Sequence, residues 1–185
     1  ISSIIKANIN LNDIYIIDNN SSDRTKEYSE EMGVNVINCK KVGYQAALKV
    51  GMNTLIKKKY KKFLIVDGDN EIGQSSIINI IKFHENFDLI IGFRASIKRF
   101  GEKIVNKYFE TKYNIKDMMC GLKMGNLKLY NPNNSLLFGI DLLDVDHIDS
   151  LKIYNLEIDL NPRSETRLGN SFKVNYLLII NLIKF

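Results

Sequence analysis

Apolar residues in this chain gather into short unbroken runs, and stretches with helical spacing lie between them. Ile14-Tyr15-Ile16-Ile17 is the first run and ends at Asp18. The polar turn Asn19-Asn20-Ser21-Ser22-Asp23 can cap a helix through Lys26 to Met32, which Gly33 stops. Val34 to Ile37 alternates like a strand, whereas Tyr44, Ala47, Leu48, Gly51 and Leu55 recur at helical spacing. Phe63 to Val66 is the next strand, Ile77 to Ile81 a helix, and Leu89 to Phe93 another strand. Unbroken apolar runs are expected of strands covered on both faces. The alternation predicts an α/β class: a Rossmann-like, mostly parallel central sheet flanked by helices, with right-handed crossovers.

Beyond Phe93 the pattern weakens. Ile104 to Tyr113 has helical spacing, Leu127 to Tyr130 and Leu136 to Ile140 suggest short strands, and Leu156 to Leu160 alternates as a half-buried strand. No repeat or low-complexity linker intervenes, so residues 1–173 are expected to form one domain, with an apolar segment at 174–185. That segment, Val174 to Phe185, is about half the roughly 20 residues a membrane-spanning helix needs, and Asn175, Asn181 and Lys184 interrupt it. The chain opens without methionine in a helix-like stretch (Ile1, Ile4, Ile5, Ile9), so a preceding segment is expected.

At 185 residues, 45% apolar and 25% charged, the chain can bury a core without staples and is not disordered. Cys39 and Cys120 are too few for a disulfide framework and lack metal-site spacing, which fits a reducing compartment. The net charge of +5 is concentrated in Lys57 to Lys62 and Lys98 to Lys107. Such runs suit phosphate-rich partners, although a solvated helix end is the commoner role. His84 lies beyond a helical pattern and is given no role.

The chemistry concentrates where Phe63 to Val66 runs into Asp67-Gly68-Asp69-Asn70-Glu71. Ligands in open α/β sheets collect outside the carboxyl ends of the strands. Two carboxylates there, with Glu71 as a third, can hold a divalent cation that bridges them to a phosphate. Asp-Gly and Asp-Asn are also ordinary turn formers, and the residues alone leave both readings open.

Taken in order, several segments resemble family 2 glycosyltransferases, in particular those that use polyprenyl phosphates. Ile16 to Thr25 looks like the family's strand followed by an Asp and a Ser-rich turn, and Gly43, Ala47 and Gly51 fall in its glycine and alanine helix. Asp67-x-Asp69-x-Glu71 matches its metal motif, Gly92-Phe93-Arg94 its Gly-x-Arg, and Asp117 to Lys123 its Asp-x-x-x-Gly-Phe-Arg/Lys segment. Arg167 to Lys173 is similar to its Arg, Gly, Ser, Lys segment, except that Phe172 displaces the cation to Lys173. The match runs from about Asp13 to Lys173, most of the chain, and no single piece of it is specific.

The resemblance implies a GT-A fold, a UDP- or GDP-sugar donor and a Mg²⁺ or Mn²⁺ ion held by Asp67, Asp69 and Glu71. It implies Asp69, Asp117 and Arg94 as catalytic, with Asp117 the base for a hydroxyl acceptor. It places Asp18, Asp23, Asp67, Gly43, Arg99 and Arg167 around the nucleotide sugar, and capping a helix is the stronger role for Asp23. The acceptor would be a polyprenyl phosphate or a cell-surface glycan precursor, the outcome inversion, and the setting cytoplasmic, at the inner face of a membrane where the acceptor is a lipid. Nucleic acid is not an expected partner. The family's first strand, with its Pro-x-x-Asn-Glu segment, has no counterpart here, so an N-terminally incomplete domain or an inactive relative is expected. Two rivals are a haloacid dehalogenase-like phosphatase, which also places Asp-x-Asp after an apolar strand, and an inert nucleotide-sugar-binding module.

Overall fold

The computed structural model describes residues 1–131, 148, 150–162 and 182. A short helix α1 (Ser2–Lys6) and a 3-10 turn at Leu11–Asp13 lead into β1 (Tyr15–Asp18). Then follow α2 (Thr25–Glu31), β2 (Asn35–Asn38), α3 (Tyr44–Lys57), β3 (Lys62–Val66), α4 (Gln74–Phe83) and β4 (Leu89–Phe93). The expected alternation is therefore present as far as Phe93. Helix α5 (Phe100–Tyr113), β5 (Leu122–Asn126) and β6 (Ile153–Glu157) complete the named elements.

β1 and β2 pair in parallel, with Tyr15 opposite Asn35 and Asp18 opposite Asn38. The larger sheet has the order β3-β5-β4-β6. Within it β4 and β6 are parallel, and β5 runs antiparallel to both β3 and β4. The inserted β5 changes two sequence expectations. The strand expected over Leu127 to Tyr130 lies one step earlier, and Leu127–Leu129 is a 3-10 turn that follows it. β3, expected in a mostly parallel sheet, pairs only with the antiparallel β5 among the described residues. Its Leu64, Ile65 and Val66 are half-buried, whereas β4 is buried from Leu89 to Gly92. The half-buried strand expected over Leu156 to Leu160 is β6, displaced toward the N-terminus. Leu136 to Ile140 lies outside the described residues.

Both faces of the larger sheet are covered, and β4 displays the reason for its continuous apolar run. Leu89 and Ile91 join Met52 of α3 and Val105 and Phe109 of α5, while Ile90 joins Ile77 and Ile80 of α4. Alternate side chains of one strand thus feed opposite layers. Helix α3 approaches β1 at Gly51, where even a methyl group would lie 3.3 Å from Ile17 Cγ1. Lys57, Lys58, Lys59 and Lys61 are exposed at the end of α3, the solvated arrangement that favours the helix dipole. No helix among the described residues is long and apolar enough to cross a membrane. Leu182, from the apolar segment, packs against the core cluster that contains Phe109.

Candidate functional site

The carboxyl ends of β3 and β4 frame one small cavity, lined by Asp67, Asp69, Glu71, Arg94, Cys120 and Gly121 among others. Asp67 extends the β3–β5 ladder by one step, its N–H donating to Gly121 O at 3.1 Å. Asn70 then adopts a left-handed conformation (φ 59°), and Asp69 Oδ1 accepts the Glu71 N–H at 3.1 Å. Short polar side chains tolerate this geometry, which folds the acidic segment back on itself. The chain after β6 holds the turn from outside, with the Asn161 N–H donating to Glu71 O at 2.8 Å and Asn161 Nδ2 to Asn70 O at 2.9 Å.

Burial raises the pKa of Asp67; the positive charges of Lys123 and Arg94 oppose that rise, and the neighbouring carboxylates of Asp69 and Glu71 add to it. Lys123 is itself buried on β5, its Nζ donating to Cys120 O. Burial pulls its pKa down, while the Cys120 thiol and the carboxylates of Asp67 and Asp117 pull it up. These opposed groups make the end of β5 a compact polar layer above the apolar core.

Arg94 stands at the far wall, in a network that ties three elements together. Its Nε and Nη2 donate to Asp117 Oδ2 and Oδ1 at 2.7 and 3.0 Å, and its Nη2 lies 3.1 Å from Glu102 Oε2. Glu102 also receives Arg99, and Asn106 Nδ2 donates to Asp117 Oδ1 at 2.8 Å. Asp117 is fully buried. The sequence offered it as the base for a hydroxyl acceptor; its carboxylate here accepts from Arg94 and Asn106. Burial alone would lower the Arg94 pKa, yet hydrogen bonding to Asp117 and the charges of Asp117 and Glu102 outweigh it and raise the value.

Asp18 ends β1, Asp23 follows it and Gly43 follows β2. Asp18 is buried, and its Oδ1 accepts the Ser21 N–H at 3.2 Å. Asn19 Oδ1 accepts the Gly43 N–H at 2.6 Å while its Nδ2 donates to Lys41 O at 2.9 Å, which fastens the start of α3 to the end of β1. Gly43 has φ 125°, a conformation that side chains avoid. Asp23 accepts both the N–H (3.0 Å) and the hydroxyl of Thr25, an Asx turn that leads into α2, whose N-cap position is Arg24. Arg99 is held by Glu102 at the start of α5. Arg167 and the segment through Phe172 and Lys173 lie outside the described residues.

Sequence reasoning did not single out Glu102 or Asn106, and it quoted Gly121 and Lys123 within the Asp117 to Lys123 segment and Asn19 within the polar turn without giving them a role. Glu102 and Asn106 are one helical turn apart and flank the apolar Val105, a spacing that marks a polar stripe turned inward.

A model of glycosyl transferase family 2 matches residues 1–140. The chain belongs to this family. Solved structures of glucosyl-3-phosphoglycerate synthase from Mycobacterium tuberculosis are similar in fold. One, in complex with phosphoglyceric acid, superposes with a TM-score of 0.69 at 14% identity, covering 98% of this chain and 74% of the other. A second, with uridine diphosphate, gives 0.69 at 15% identity over 100% and 74%. A third, with Mn²⁺, UDP-glucose and phosphoglyceric acid, gives 0.62 at 14% over 92% and 67%. No curated protein sequence matches the chain. The fold of this family 2 glycosyltransferase is therefore GT-A, and the phosphatase reading falls.

The donor atoms suit a hard divalent cation, since the cavity offers carboxylate oxygens of Asp67, Asp69 and Glu71. Among the described residues, however, no three such side chains converge into a complete cage. Glu71 lines the cavity beside the two aspartates. Ions of the Mg²⁺ type are commonly held by one or two carboxylates together with substrate phosphates. The residues present fit that open kind of site, to be completed by a donor diphosphate.

Proposed function

We propose that this glycosyltransferase moves a sugar from a nucleotide diphosphate sugar, a UDP-sugar first among candidates, to a phosphate-bearing acceptor with inversion at the anomeric carbon. The observation that carries the reading is the meeting of Asp67, Asp69 and Arg94 in one cavity at the carboxyl ends of β3 and β4, on either side of β5. Asp67 and Asp69 would hold a Mg²⁺ or Mn²⁺ ion against the diphosphate. When bound, that ion neutralises charge developing on the departing nucleotide. Arg94, fixed by Asp117 and Glu102, presents a preoriented positive charge beside the same leaving group, where such charge lowers the barrier most. Asp18, Gly43 and the Asn19 clamp at the ends of β1 and β2 would receive the nucleoside.

The commitment of Asp117 to Arg94 bears on the acceptor. A hydroxyl needs a base within hydrogen-bond reach, whereas a phosphate oxygen is already ionised. An acceptor phosphate is thus favoured, carried by a polyprenyl lipid at the cytoplasmic face of a membrane or by a small acid such as the phosphoglyceric acid of the similar structures. The test is nucleotide release from UDP-glucose and GDP-mannose with Mn²⁺, using polyprenyl phosphate, 3-phosphoglycerate and a neutral sugar as acceptors. Release with a phosphate acceptor, lost in Asp69→Asn or on chelation, is expected. Donor binding that is indifferent to chelator, or binding without release to any acceptor, would leave only the inert binding module.

A further inference from the structure

Gly121 is a glycine whose backbone does not require one. Among the described residues the left-handed glycines are Gly33 and Gly43, and Gly121 is not among them. What requires glycine there is its neighbour. The register that sets Val66 opposite Leu122 continues to Asp67 and Gly121, joined by the Asp67 N–H to Gly121 O bond of 3.1 Å. Residues directly opposite in antiparallel strands project from the same face. A Cβ on residue 121 would overlap the carboxylate of Asp67 and lie only 2.8 Å from Asp67 Cβ. The carboxylate of Asp67 therefore occupies the volume in which any side chain at 121 would stand.

The surroundings make this a seat rather than a loose gap. Lys123, two residues along the same face of β5, is buried and donates from Nζ to Cys120 O, which anchors the turn that carries Gly121. The Cys120 N–H in turn donates to Asp117 O at 3.2 Å, so the turn is also tied to the residue that holds Arg94. Gly121 and Asp67 line the same cavity as Asp69 and Arg94.

We propose that Gly121 is a positioning residue: the space left by its missing side chain seats the Asp67 carboxylate in the orientation that faces the donor diphosphate. This rests on the reading of Asp67 as a donor-site carboxylate. A methyl group at 121 must swing that carboxylate out of the cavity, and its approach to Asp67 Cβ also forces the two paired residues slightly apart.

The experiment compares Gly121→Ala, Asp67→Gly and the double variant by Mn²⁺-dependent UDP binding in calorimetry and by urea unfolding midpoint. Gly121→Ala is expected to weaken Mn²⁺-dependent UDP binding by about 10- to 100-fold, as loss of support behind a metal ligand does. In the Asp67→Gly background the same substitution should cost neither further binding nor midpoint, because the overlapping atoms are gone. Binding by Gly121→Ala within about twofold of the parent, far less than loss of such support costs, would overturn the proposal. So would an equal fall of midpoint in both backgrounds. Should Gly121→Ala fail to fold, recovery of folding in the double variant supports the seat and continued failure refutes it. If the parent protein binds no UDP with Mn²⁺, the proposed function fails by itself, and the midpoint comparison still decides whether residue 121 seats Asp67.

Discussion

Asp117 meets the guanidinium of Arg94 through two hydrogen bonds of 2.7 and 3.0 Å and the Arg94 backbone N–H through a third of 3.3 Å, with the carboxylate wholly buried and the guanidinium at the wall of the cavity. Such a pair behaves differently from a catalytic base. Removing one partner of a buried ion pair strands the other charge, at a cost of about 3–5 kcal/mol. Asp117→Ala should therefore lower stability by an amount of that order in urea titration, and weaken donor binding through a disordered Arg94. Asp117→Asn, which keeps an acceptor for one Arg94 N–H, should do less of both. A base would give the opposite result: intact stability and donor affinity, with turnover alone abolished.

Arg94→Lys tests the geometry from the other side. A lysine keeps the charge but cannot make the paired contact to both oxygens of Asp117, nor reach Glu102 at the same time. Donor affinity is expected to fall by about tenfold, corresponding to loss of one charged hydrogen bond of about 1.5 kcal/mol. Affinity equal to the parent's would mean that charge alone suffices.

Asp67 is expected to trade stability for function. Its pKa is raised, chiefly by burial, so the folded chain holds that proton more tightly than the unfolded chain does. Its contribution is therefore present at low pH and lost as pH rises from the ordinary carboxylate range through the folded value. Asp67→Asn removes this loss. In metal-free protein the variant should unfold at a urea concentration equal to or above the parent's near neutral pH, with a flatter pH dependence, while Mn²⁺-dependent UDP binding disappears. A variant that is less stable at neutral pH would show that the carboxylate is structural.

Much of this arrangement is legible in the sequence, and the limits have physical causes. Ile16-Ile17-Asp18 and Leu64-Ile65-Val66-Asp67 announce strands that deliver carboxylates because an unbroken apolar run ends abruptly in charge. β5 escapes because Lys123 and Gly125 interrupt Leu122 to Asn126, and a lysine in a strand normally signals an exposed face. Here the Cys120 carbonyl and two nearby carboxylates accommodate the buried ammonium. The antiparallel pairing of β3 was hidden for the same reason, since an unseen strand cannot be placed beside it. Glu102 and Asn106 read as the solvent face of α5 until Arg94 and Asp117, distant in sequence, give them something to hold.

Cys120 borders the cavity, yet its thiol is predicted to be inert. Its pKa is raised from 9.0 to about 11, mainly by burial. The nucleophile is the thiolate, and a two-unit rise reduces its fraction about a hundredfold near pH 8. Iodoacetamide at that pH should label Cys120 only after denaturation, and labelling in the folded protein should increase as pH approaches 11. Rapid modification at neutral pH would place the thiol in the open.

Gly43 offers a test of the nucleoside side that is independent of the acidic loop. A Cβ there meets nothing within 4 Å, so Gly43→Ala adds no clash. The whole cost is conformational, because φ 125° is foreign to side-chain-bearing residues and forcing one to adopt it takes about 1–3 kcal/mol. The easiest relief is rotation of the peptide that presents the Gly43 N–H to Asn19 Oδ1, which breaks the 2.6 Å bond fastening α3 to β1. Uridine binding without metal should then weaken along with UDP binding, in both Gly43→Ala and Asn19→Ala. Asp69→Asn should leave uridine binding untouched and affect only the diphosphate. If Gly43→Ala and Asn19→Ala bind uridine as the parent does, the ends of β1 and β2 are not where the nucleoside lies.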